Sequence, residues 1–202
     1  MSEPLVVDLF VEDKAHEEFL KPLLLRVAQE EGFQVDLRIC SARGGHGRAI
    51  QEFQTYQKLV QRGLLDAPAL VVVGIDGNCK PFAKKKREIE RATFPSFTSK
   101  VVAACPSPHV ERWYLADPDS FFQVVGYRPA LGKEKCARDH YRRLLTSAVR
   151  AGGHPATLGG IEFARELVEA MDWYRACKND QSLKAFLDEL RGWLRQQASG
   201  RN

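Results

Sequence analysis

Residues 69–75, Ala-Leu-Val-Val-Val-Gly-Ile, form an unbroken apolar run rich in β-branched side chains. A half-exposed strand would alternate apolar and polar residues, so this run predicts a central strand covered on both faces, the hallmark of a parallel sheet. The run stops at Asp76-Gly77-Asn78. Further strands are predicted over 4–11, over the alternating segment 33–40, and over 100–105. Between them lie longer amphipathic stretches. Residues 14–32 predict a helix stopped by Gly32, with Pro22 removing one backbone bond and kinking it. Residues 48–63 place Ile50, Phe53, Tyr56, Leu59 and Val60 on one stripe, and 80–91 predict a basic helix.

Strands alternating with helices imply right-handed crossovers and a mainly parallel four-stranded sheet flanked by helices, an α/β fold. From residue 109 onward the pattern is helical, over 109–117, 133–151, 161–177 and 181–197, with a glycine-rich connection at 151–160. The expected organisation is an α/β core over 1–125 and a helical C-terminal portion over 126–202 packed on it.

With 44% hydrophobic and 28% charged residues, the chain of 202 residues has enough apolar side chains for a sizeable core. No apolar run reaches the roughly 18 residues of a membrane span. The N-terminus has no basic segment ahead of its apolar stretch, as a signal peptide would. Five cysteines, odd in number and without a C-x-x-C pair, predict reduced thiols in the cytoplasm rather than a disulfide or zinc scaffold. The formal charge of +4 permits a nucleic-acid partner without requiring one.

Ligands bind parallel sheets beyond the carboxyl ends of the strands. Glu12 and Asp76 each sit one residue past a predicted strand, and Glu111 follows the fourth. Asp76-Gly77-Asn78 also has the chemistry of an ordinary turn. Glu12 and Asp13 both precede a helix; Asp13 is the better cap, which leaves Glu12 free. Three gathered carboxylates repel one another unless a cation joins them, and hard oxygen ligands suit Mg²⁺ or Mn²⁺. His16 lies one helical turn beyond Glu12 and could face the same site, or lie on the helix surface. Asp119 follows Asp117-Pro118, which predicts a helix start with proline in its first turn, so Asp119 is at most an accessory ligand.

Two basic stretches flank this edge. Arg43, His46 and Arg48 surround glycines at a strand-to-helix junction, either an anion cradle or a flexible loop. Lys80, Lys84 and Lys85 follow the Asp76 turn, where phosphate contacts would be independent of base sequence.

The ordered set Val-Glu-Asp-Lys-Ala-His (11–16), Gly-Ile-Asp-Gly-Asn (74–78) and Glu-Arg-Trp-Tyr-Leu-Ala-Asp (111–117) resembles the TOPRIM domain, in particular small TOPRIM-like proteins related to OLD-family nucleases. The resemblance covers roughly residues 5–125. It implies a metal-dependent nuclease acting on DNA or RNA, with Glu12, Asp76 and Glu111 as catalytic and metal-binding residues. Asn78 would assist at the metal. It also implies a setting in bacterial defence or genome maintenance and an ATPase partner. The sequence departs from the family pattern at Ala15, His16 and Asn78, where threonine, an acidic residue and aspartate are usual. Those departures suit a second reading, a binding subunit without turnover. A third, a receiver-like phospho-acceptor, lacks the fifth strand and its lysine.

Overall fold

The structure, a computed structural model, describes residues 3–41, 44–137 and 139–200. Four strands, β1 (Leu5–Val11), β2 (Val35–Ser41), β3 (Leu70–Gly74) and β4 (Val101–Ala104), form one sheet in the order β2-β1-β3-β4. All three pairings are parallel, with Val7 opposite Leu37 and Leu70, and Val72 opposite Val102. Helices α1 (Lys14–Glu30), α2 (His46–Gln61) and α3 (Phe82–Ala92) make the connections. Within the apolar run, Leu70 to Ile75 are buried as expected, because both faces of β3 are covered.

The two faces are covered unequally. Phe10, Val71, Val73 and Ile75 pack under α2 and α3 against Phe53, Tyr56 and Ile89. Val7, Leu9, Val11 and Val72 face α1 and, beyond it, the C-terminal helices. These are α4 (Glu111–Tyr114), α5 (Pro118–Val125), α6 (His140–Ala151), α7 (Ala164–Ala170), α8 (Trp173–Asn179) and α9 (Gln181–Ser199). One continuous apolar cluster runs from Leu5 through Trp113 and Tyr141 to Leu194. Burying its large side chains is worth about 1.5–3 kcal/mol each, which holds the helical layer to the sheet. No helix among the described residues is long and apolar enough to cross a membrane.

Several predicted elements differ from those observed. The helix expected over 109–117 is only the single turn α4, because Asp117 and Pro118 begin α5 immediately afterwards. The helix expected over 133–151 starts at His140, and Cys136 in the preceding coil is bonded to Cys79. That bond corrects the expectation that all five thiols are free; Cys40, Cys105 and Cys177 are. Periodicity cannot report two cysteines 57 residues apart whose Cα atoms lie 5.3 Å from one another. The segment 161–177 breaks at Met171, where Asp172 starts α8 by accepting the Arg175 amide at 2.9 Å. α1, by contrast, continues through Pro22.

Candidate active site at the carboxyl edge of the sheet

Three loops meet beyond the carboxyl ends of β1, β3 and β4. The β3–α3 loop is fixed against the loop after β4: the Gly77 amide donates to Pro106 O at 2.7 Å and the Asn78 amide to Pro108 O at 3.0 Å. A Cβ on Gly77 would stand 2.9 Å from Pro106 O, so this position needs glycine for close approach. The left-handed turn residues are instead Asn78 and Cys79, with φ of 47° and 67°.

Asp76 is the hub. Its Oδ1 accepts the Val110 amide at 2.9 Å, and its Oδ2 lies 2.9 Å from His109 Nδ1. Its amide donates to Glu12 Oε2 at 3.0 Å, which ties the β1–α1 loop to the β3–α3 loop. As expected, Asp13 rather than Glu12 caps α1, accepting the His16 amide at 3.0 Å. His16 is wholly buried, not on the helix surface. Its Nδ1 lies 2.8 Å from Asp13 Oδ1, and its Nε2 faces Asp76 Oδ1 at 3.2 Å without hydrogen-bond geometry. Gly74 makes room for this ring, since a Cβ there would touch Leu20 at 2.8 Å and His16 at 3.4 Å. Tyr114 secures the same turn by donating to Ala15 O at 2.7 Å.

The electrostatics follow from burial and crowding. Burial raises the Glu12 carboxyl above its ordinary range; His16 opposes the rise and Asp76 adds to it. Burial also raises Glu111, with Asp76 and Asp13 adding. Burial disfavours charge on Asp76 and on His16, but the two favour each other's charge. With His109 assisting Asp76, and Asp13 assisting His16, Asp76 is lowered and His16 is raised. The bond to Asp76 raises His109. Burial also works against charge on Asp13, yet His16 brings it down to about 2. Four carboxylates therefore share one edge with two imidazoles. Such a site favours cations and holds groups whose proton affinities are pushed apart by burial and by one another.

The other expected site residues divide. Asn78 is exposed and its side chain makes no hydrogen bond among the described residues. Asp119 is at α5, paired with Arg128 and with Arg175 at 3.8 Å. Lys80 and Lys84 are exposed at the start of α3. Lys85, expected to face a phosphate backbone, is instead buried, with Nζ 2.9 Å from Glu88 and 3.2 Å from His46 Nε2. His46 is turned inward by the same Glu88, at 3.1 Å. Arg48 pairs with Glu52 at 2.9 Å, and Arg43 lies outside the described residues. His109 was not among the expected residues. Its place two residues before Glu111 was the one signal for it in the sequence.

A metal shell is not pre-assembled: among the described residues, no three His, Cys, Asp or Glu side chains are spaced to hold an ion. The donor set nevertheless suits a cation, since the buried His16 Nε2 lacks a hydrogen-bond partner and faces a carboxylate. The family described as "Domain of unknown function (DUF4276)" matches residues 11–191. The chain belongs to the DUF4276 family. The match takes in both the sheet edge and the helical layer, from the end of β1 to within α9. No curated protein and no solved structure matches the chain.

Proposed function

We propose that this DUF4276 protein is a metal-dependent phosphoryl-transfer enzyme of TOPRIM type, a nuclease acting on the DNA or RNA backbone. The observation that carries this reading is the delivery of Glu12, Asp76 and Glu111 by three separate loops to one sheet edge. The motif order that resembles TOPRIM proteins supports it. A divalent ion bound there would polarise a phosphoryl oxygen and activate water.

The chain's own groups have distinct parts. Asp76 stays ionised and anchors the loops through Val110 and His109. Glu111 and His109, both with raised proton affinity, carry protons to and from the reacting oxygens. Lys80 and Lys84 hold the substrate backbone from the rim, independently of base sequence. By the same resemblance the protein works in bacterial defence or genome maintenance beside an ATPase. The setting is the cytoplasm, where a bond such as Cys79–Cys136 is usually transient or redox-sensing.

The test is divalent-ion-dependent cleavage of DNA and RNA by the wild type and by Glu12→Ala and Asp76→Ala. Loss of cleavage in both, with the fold retained by circular dichroism, supports the reading; cleavage that survives both defeats it.

A second reading, a nucleic-acid-binding subunit without turnover, is favoured by the Asp76 carboxylate, whose two oxygens are already engaged. It predicts chelator-insensitive binding and no cleavage.

A further inference from the structure

His16 has the surroundings of a metal ligand more than those of a structural histidine. It is fully buried in the first turn of α1, where a satisfied core histidine would use both ring nitrogens. Only Nδ1 has hydrogen-bond geometry; Nε2 meets the charge of Asp76 without it. Nδ1 lies 2.8 Å from Asp13 Oδ1, which keeps a proton on that nitrogen. A carboxylate behind the ring is the usual outer partner of a metal-bound imidazole, fixing the ring and raising its basicity. Nε2, the atom left over, is buried without a hydrogen-bond partner and faces Asp76 Oδ1 at 3.2 Å. Two ligands about 2.1 Å from a common ion at 90–110° stand about 3.0–3.4 Å apart. The pair is therefore spaced as neighbouring ligands, although it lacks the alignment of a good hydrogen bond.

Resting on the phosphoryl-transfer reading of this edge, we propose that His16 Nε2 and Asp76 Oδ1 are paired ligands of a divalent transition-metal seat, which takes Mn²⁺-, Fe²⁺- or Zn²⁺-class ions in preference to Mg²⁺. The preference follows from the donors. Mg²⁺ favours oxygen and gives up its waters reluctantly, whereas an imidazole nitrogen suits the later ions. The shell closes by rotation of Glu12 or Glu111, both already at the edge, since no three ligands are in place beforehand. On binding, the ion takes the place of the proton on Nε2, and that proton leaves to water. Asp13 is a positioning residue: it touches the ring and not the ion.

The experiment is Mn²⁺ binding to the full chain by electron paramagnetic resonance, with Mg²⁺ and Zn²⁺ as competitors and ¹⁴N hyperfine coupling as the readout of a nitrogen ligand. We expect one tight Mn²⁺ with imidazole coupling, displaced readily by Zn²⁺. Mg²⁺ should compete only in an excess of about tenfold or more. The coupling should vanish in His16→Gln and persist in His109→Gln. Asp13 is half-exposed, and Asp13→Asn should fold and bind Mn²⁺ about 10–100-fold more weakly with the coupling retained. Three results overturn the seat: bound Mn²⁺ without nitrogen coupling, coupling that follows His109 instead of His16, or Mg²⁺ binding as tightly as Mn²⁺. In each, carboxylate-bound metal and phosphoryl transfer still stand. Nitrogen-coupled Mn²⁺ with no cleavage of DNA or RNA supports the seat and defeats the phosphoryl-transfer reading. Absence of any ion binding defeats both.

Discussion

Glu111 and Arg112 are neighbours in one helical turn, yet they serve two polar clusters built on opposite terms. Arg112 is buried, and every part of its guanidinium is used. It donates to Asp180 at 2.9 Å, to the Tyr141 hydroxyl at 2.8 Å and to Asn179 O at 3.2 Å. Asp180 in turn accepts the amides of Ser182 and Leu183 at the start of α9. One guanidinium meets one carboxylate there, although burial still raises the Asp180 carboxyl. Glu111 joins Glu12, Asp13 and Asp76, where four carboxylates outnumber the two imidazoles beside them. The first cluster resembles a fastening and the second a site, because only the second holds an imbalance that a ligand could relieve.

The contrast can be broken by mutation. Its largest expected effect is in Arg112→Ala, which removes the cation paired with the buried Asp180. It should cost about 3–5 kcal/mol in urea unfolding. A cost below about 1 kcal/mol would show that the fastening is dispensable.

Next comes a pH test on a second balanced cluster. Asp117 is buried and accepts from Arg175 at 2.9 Å, from Ser120 at 2.6 Å and from the Asp172 amide at 2.9 Å. Although burial opposes its charge, these partners bring its carboxyl from 3.8 down to about 2. A depressed carboxyl stabilises the fold above its unfolded pKa. On the order of 2 kcal/mol should therefore be lost between about pH 4 and pH 2. Asp117→Asn should flatten that limb of the pH–stability curve; an unchanged limb would place the acid sensitivity elsewhere.

The smallest effect has the opposite sign. A raised carboxyl is a liability once the pH exceeds its folded pKa, so Glu111→Gln should modestly stabilise the protein at pH 7. Destabilisation by Glu111→Gln comparable to that of Arg112→Ala would erase the distinction between the two clusters.

The sheet was legible because buried parallel strands are written as apolar runs, and Val71, Val72 and Val73 have no other plausible home. That Asp13 rather than Glu12 caps α1 was also legible, since only Asp13 directly precedes the helix. His109 was not. It reaches Asp76 from a loop whose path is set by Gly77 against Pro106 and by the Val110 amide. No periodicity encodes that path. Lys85 misled because a run of lysines looks uniform, while helix geometry turns one of them inward to Glu88 and His46. The ends of the helices after residue 109 depended on Asp172 and on the Cys79–Cys136 bond, both features of tertiary structure.

Ser182 opens the last helix, and its hydroxyl accepts the Ser107 amide at 3.0 Å and the Trp113 indole at 2.9 Å. Through that one oxygen the far end of the polypeptide grips the very turn that carries His109 and Val110. Trimming the molecule back to its first five helices would keep every acidic residue of the site, yet release the clasp that aims the backbone at Asp76. The helices near the C-terminus are thus part of the frame that holds this edge in place.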